Sequence, residues 1–364
     1  MKSSSSVYFL VSLLLHQRFT NAINTWLVPE PPVLDAACAV RVENGAKRTL
    51  HLAFGFYGLP RHICTSANIK SVIFDPLHKT KDFNFIYDVF AHINYVPYPF
   101  DPRSSDSGRN AIDPYAYRRY KACYYTVEDQ SLVDKELIPI LNGTLKRWGD
   151  YWKTPSGSTT VNLIRALKSQ HRIADLITAQ EGAQGFKYDI IINARVDVLF
   201  TREIGVQRYH EIMQAFDDRQ QSLVLVPDYA QWGGYNDRFS MGHRDTMIKI
   251  LRRLDSAVSY CEQTRQAINS EKYIRDFILF LGLPSAEVNV GYNRRVRSDG
   301  SIHPAQYGKR GKHNCTLDTL SKCHHDEIQK NVLCHYHNGL ISATFDKSEL
   351  KGVNKVLWKK FHLD

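Results

Sequence analysis

The chain has no Gly-x-Gly-x-x-Gly turn, no Gly-x-x-x-x-Gly-Lys-Ser/Thr loop and no Cys-x-x-Cys pair. The first two absences remove the dinucleotide-binding and P-loop fingerprints, and the third removes the usual spacing of a structural zinc site. No internal repeat occurs, and no segment has a composition of its own that would mark a second domain. The amino-terminal apolar run Val7–Leu15 is nine residues long, short of the ~20 that span a bilayer. No basic cluster sits in a recognisable nucleic-acid reading motif, which sets nucleic acid aside as a partner.

What is present is a chain of 364 residues, 43% hydrophobic and 23% charged, with 47 Lys and Arg against 37 Asp and Glu for a net charge of +10. That length and composition suit one large α/β domain or two smaller ones with a real core. The basic excess gathers at Arg118-Arg119, Arg252-Arg253, Arg294–Arg297 and Lys309–Lys312, and it suits a polyanion, a nucleotide diphosphate or an acidic membrane.

Lys2, the short apolar run and Thr20-Asn21-Ala22 read as a signal peptide or short signal anchor over residues 1–22. Residues 23–46, with Pro29, Pro31 and Pro32, read as an extended lead-in, and 47–364 as a single domain. Sequons at Asn142-Gly143-Thr144 and Asn314-Cys315-Thr316, and seven cysteines, agree with a secretory-pathway lumen (endoplasmic reticulum or Golgi) or secretion. Contact with a membrane is expected only through the short amino-terminal segment.

The most apolar stretch is Tyr188–Phe200. Ile190, Ile191 and Ile192 form a β-branched run, as in a strand buried on both faces. Arg195 and Asp197 arrive where that run stops, at the carboxyl end of the strand, the edge at which open α/β sheets bind ligands. A structural ion pair closing the strand is the competing reading.

Further strands are expected at 49–54, 86–93, 122–127, 222–226 and 332–336. Helices are expected at 66–74, 159–179, 206–217, 243–255 and 271–281. The 159–179 helix carries Leu163, Leu167, Ala174 and Ile177 on one face and takes Thr159 or Thr160 as its cap. The 271–281 helix takes Ser270 as cap and stops at Gly282. Two glycine-bearing loops, 55–61 and 233–242, allow close backbone approach to a ligand. Strands alternating with helices predict a three-layer α/β fold around a mixed sheet.

The order of these pieces resembles a family. Leu52–Arg61, Asp88–Ile93, the Tyr188-Asp189 strand with Arg195-x-Asp197, Asn236–Gly242, Glu271 and Leu281-Gly282-Leu283 together look like the glycosyltransferase-like proteins of GT-A fold found in algae, protists and large viruses. The resemblance implies an enzyme that moves a sugar from a nucleotide-diphosphate donor to a glycan or glycoprotein, with Mn²⁺ or Mg²⁺ bridging the diphosphate. It implies Gly55, Tyr57, Arg61, Arg195, Asp197, Asn236 and Arg238 for the donor. It implies Asp197, His335 and His337 for the metal, and Asp237, Asp228 or Glu271 for the carboxylate base. Arg195 stands where the family has the first carboxylate of Asp-x-Asp, and an arginine there can hold a diphosphate directly. Asp237 and Arg238 can equally pair across their loop. Two rival readings stay open: a catalytically silent glycan- or nucleotide-sugar-binding module on the same fold, and a transferase for another anionic donor such as a sulfotransferase.

Overall fold

The computed structural model describes, with short internal breaks, residues 39–200 and 223–288, together with the strands Asn293–Arg295, Cys334–His337 and Leu340–Ala343. The signal-like start, the helix expected at 206–217, the second sequon and the basic run at 309–312 lie outside these residues.

Strand β2 (Thr49–Gly58) is the axis of the sheet. Leu52, Phe54 and Phe56 enter one core, and Ala53 and Tyr57 enter another on the opposite side. Both faces are therefore buried, and the strand shows no polar alternation. It pairs in parallel with β3 (Asn84–Tyr95) and with β5 (Ile190–Arg195), the triple-isoleucine strand. β4 (Tyr124–Asp129) extends the parallel run beyond β3, and β1 (Val40–Val42) pairs antiparallel with the start of β3. On the other side, β7 (Phe239–His243) runs antiparallel to both β5 and β6 (Val224–Pro227). β8 (Ser285–Val288) then pairs in parallel with β6. The result is an eight-stranded mixed sheet in the order β1-β3-β2-β5-β7-β6-β8, with β4 also on β3.

Helices cover both faces. α1 (Cys64–Ile69) and α2 (Asp75–Lys79), joined by a π turn over Lys70–Phe74, set Ile69, Val72, Ile73 and Leu77 against the first face. α4 (Ser158–Gln184), α5 (Arg244–Leu251) and α7 (Ser270–Phe280) cover the second through Ile173, Ile177, Met247, Ile250 and Ile274. An outer cluster joins α3 (Gln130–Leu141), α4 and α6 (Ala257–Thr264) through Leu137, Leu167 and Cys261. The expected three-layer α/β architecture is what the described residues form. Among them no helix is long and apolar enough to cross a membrane.

Several local expectations are corrected. β2 runs four residues past Phe54, so Gly55 lies inside a strand rather than in a phosphate-cradling turn. A Cβ there would stand 2.6 Å from Ile173 Cγ2, so the glycine admits α4 against the sheet. The second half of the 233–242 loop is strand β7, with Ser240 and Met241 paired to Asn193 and Ile192. α4 is capped by Gly157 in the left-handed region (φ 63°) rather than by a threonine, while Thr160 gives both its N–H and its hydroxyl to Asp150. Asn269, not Ser270, caps α7 by accepting from the Lys272 N–H. The Cys334–His337 strand pairs with Leu340–Ala343 in a two-stranded sheet separate from the main one.

Candidate functional site

After β2 the chain steps outward to β3 and β4, then returns through α4 to β5 on the other side of β2. That reversal makes a topological switch point between β2 and β5, the position at which open α/β sheets bind ligands. β7 is antiparallel to β5, with Phe239 opposite Ala194, so the segment that enters β7 reaches the same edge. Tyr57, Arg61, Arg195, Asp197 and the loop 231–238 converge there.

Asp197 is 1% exposed. Arg195 grips it with two donors, Nε to Oδ1 at 3.0 Å and a terminal nitrogen to Oδ2 at 2.8 Å. Arg61, the last residue of the loop after β2, donates to the same Oδ2. The Arg61 and Arg195 side chains are only 10% and 16% exposed. Burial works to lower the Arg195 pKa, but Asp197, then Tyr57 and Asp237, outweigh it, so the net direction is upward and the guanidinium stays charged. Among the described residues two guanidiniums share this one carboxylate. The Arg195–Asp197 ion pair of the competing reading is present, and Arg61 joins it.

The facing loop is locked to α7. Gly234 packs so tightly that a Cβ there would lie 1.8 Å from the Glu271 carbonyl oxygen. Tyr235 N–H donates to that oxygen at 2.8 Å, and Arg275 donates to the Gly233 carbonyl. Asn236 is buried and accepts the Arg238 N–H through Oδ1, while the Arg238 carbonyl accepts the Arg195 N–H. The Tyr57 hydroxyl donates to the Asp237 carbonyl at 2.7 Å, tying the loop back to β2.

This docking seats the loop that carries Asp237 on the turn of α7 that carries Glu271. Burial first, and the charge of Asp237 second, push the Glu271 carboxyl above its usual range, with Ser270 Oγ donating to it at 2.6 Å. Among the described residues Asp237 makes no ion pair with Arg238, so the loop-bridging alternative does not hold. Asp228 follows β6 at the same sheet edge, exposed to solvent, and no described contact joins it to Asp237 and Glu271.

Sequence reasoning missed Arg253, which it counted as surface charge. Arg253 is 1% exposed, donates to Gln170 Oε1 at 2.6 Å and to the Ile250 carbonyl at 2.8 Å, and leaves Nε buried without a partner. Burial lowers its pKa, opposed chiefly by Tyr57 and Tyr273 and then by Asp237. The available signal was its place three residues after Ile250, where the apolar stripe of α5 would continue into the 3-10 turn Arg253–Ser256. A second missed group, Ser169, His92 and Glu128, is linked at 3.0 and 2.8 Å. It has the form of a nucleophile relay, but Ser169 is fully buried and also receives Asn94 Nδ2, so no substrate atom reaches it.

The described residues do not suit a divalent ion. Both Asp197 oxygens already accept from guanidinium groups, and no cluster of three or more His, Cys, Asp or Glu side chains forms among the described residues. A dication beside two arginines and a single carboxylate would be repelled more than held. The side chains of His335 and His337 lie outside the described residues.

Residues 160–301, which hold α4, β5, Arg195, Asp197, Asp237 and Glu271, match a protein family described as a domain of unknown function, DUF7796. No curated protein matches the chain. Among solved structures it is similar to mouse xyloside xylosyltransferase 1 in its apo form, with a TM-score of 0.36 and 9% identity over 66% of this chain and 85% of that one.

Proposed function

We propose that this chain is a glycosyltransferase that moves a sugar from a nucleotide-diphosphate donor to a glycan or glycoprotein acceptor. The observation that carries the reading is the pairing of two devices at one switch-point edge. One is the Arg61–Asp197–Arg195 centre with its two guanidiniums, and the other is the loop of Asp237 seated on the turn of α7 that carries Glu271. The sequence resemblance to GT-A glycosyltransferases supports the same assignment.

In this reading Arg61 and Arg195 take the donor's diphosphate. They stabilise the charge that builds on it as the bond from the anomeric carbon to the phosphate oxygen breaks. The acceptor hydroxyl forms the new bond to that carbon, and its proton passes to Asp237. Glu271, whose carboxyl is pushed upward by burial and by the charge of Asp237, stands on the neighbouring turn of α7 as a partner for the sugar or acceptor hydroxyls. The arginines supply the neutralisation that the resemblance assigns to Mn²⁺ or Mg²⁺, and no step here requires the metal. Asp237→Asn should slow transfer by roughly 100- to 10,000-fold, the usual contribution of a general base, while donor binding persists. Turnover of a panel of nucleotide-diphosphate sugars by wild type and variant measures this, and equal rates would remove Asp237 from the chemistry.

The secretory lumen is the compartment that fits best. Asn142 of the first sequon is exposed and Cys123 is disulfide-bonded, and both features support that placement.

A further inference from the structure

Beside the carboxylate loop stands a cluster of aromatic rings left in water. Trp152 is 46% exposed and Trp232 is 56% exposed. Their centroids lie 6.5 Å apart with planes at 89°. Tyr151 meets Trp152 edge to face at 5.2 Å, and the Lys272 ammonium sits 5.1 Å from the Tyr151 ring centre. Exposed apolar residues are ordinary when single, but contiguous aromatic rings mark a contact surface.

The backbone beneath the rings is unusual. Trp232 has φ 44°, and Lys153, directly after Trp152, has φ 53°. A bulky residue in the left-handed region is a rare conformation. Such strain persists where the surroundings over-determine it, and it concentrates at functional sites. Here Arg275 holds the Gly233 carbonyl next to Trp232, and Gly234 is wedged on the Glu271 backbone. The same anchors that seat the Asp237 loop on α7 hold the Trp232 backbone, and its indole stays exposed.

The occupant is argued from chemistry and continuity. The rings offer apolar faces fringed by the Lys272 ammonium. A pyranose ring has an apolar C–H face and a rim of hydroxyls that accept hydrogen bonds, and it matches this surface on both counts. The platform is continuous with the loop that carries Asp237, and Lys272 directly follows Glu271. Resting on the transferase reading above, we infer that Tyr151, Trp152 and Trp232 form the acceptor platform, stacking a pyranose ring of the carbohydrate that receives the sugar.

The test uses the full chain on a printed array of neutral and acidic oligosaccharides, without nucleotide. Wild type is expected to bind a defined class of glycan. Trp152→Ala and Trp232→Gly are expected to weaken that binding about tenfold or more, and Trp232→Phe to retain most of it. Glycine is at ease at positive φ, so Trp232→Gly should melt no lower than wild type, and its lost binding is not unfolding. Wild type that binds no glycan, or a Trp232→Gly and Trp152→Ala pair that binds as wild type does, overturns the platform. Donor turnover by wild type is read separately. Tryptophan-dependent glycan binding without turnover keeps the platform and removes the transferase reading, and turnover without such binding removes the platform alone.

Discussion

Replacing Asp197 by asparagine separates a free donor-site carboxylate from the buried ion cluster. An isolated, solvated carboxylate would tolerate the change with little loss of stability. Asp197, at 1% exposure, instead accepts three guanidinium hydrogen bonds from Arg195 and Arg61. Asparagine offers a single acceptor oxygen, turns an N–H₂ group toward one arginine and removes the negative charge that the two guanidiniums share. Removing one partner of a buried ion pair costs about 3–5 kcal/mol, because the remaining charge is left uncompensated. At about 2–4 °C per kcal/mol for a domain of this size, the melting temperature should fall by roughly 6–20 °C. Thermal unfolding followed by circular dichroism measures the fall. Inorganic pyrophosphate should restore part of it, since the diphosphate supplies the missing negative charge to Arg61 and Arg195. An Asp197→Asn protein that melts with wild type, and that pyrophosphate leaves unmoved, would show that the cluster is not coupled in solution.

Two further outcomes follow from the same geometry. Gly234→Ala puts a methyl group where the Glu271 carbonyl oxygen lies. Overpacking of this kind costs about 1–3 kcal/mol or more, and it lifts the loop off α7, so transfer should fall with the melting temperature. A variant of wild-type activity would refute the docking of loop and helix. Expressed through a secretory pathway, the chain should lose mass on enzymatic deglycosylation, with Asn142→Gln removing part of that loss. A chain recovered from the cytosol without glycan would contradict the assigned compartment.

The parts of this molecule that were legible from sequence are those where one element settles its own environment. Ile190–Ile192 announce a strand buried on both faces, and Leu163, Leu167, Ala174 and Ile177 announce the buried side of α4; all are buried as expected. Arg195 and Asp197 fell at the strand end because a doubly buried strand has nowhere else to carry charge. What was hidden depends on contacts between distant segments. Arg61 reaches Asp197 only because β2 continues to Gly58, and that extension was masked by reading Gly55 as a turn when it is a gap for Ile173. The Asp237 loop lies on α7 because Gly234 seats on the backbone of Glu271, a fit that no local pattern encodes. α3 was not among the expected helices, although Asp129 caps it and Val133 and Leu137 hold it to the core. Arg253 shows the same limit, since an arginine read from composition is a surface charge until packing proves otherwise.

The most direct measurement of the central claim is the thermal shift of the full chain with a panel of nucleotide-diphosphate sugars, with and without Mn²⁺, for wild type and Arg61→Ala. The account predicts that at least one donor raises the melting temperature of wild type without Mn²⁺. A ligand at 100 times its dissociation constant contributes about 2.7 kcal/mol, and Arg61→Ala should lose most of that shift. A panel that stabilises nothing, or a donor shift that survives intact in Arg61→Ala, would contradict the assignment of the Arg61–Asp197–Arg195 centre to the donor diphosphate.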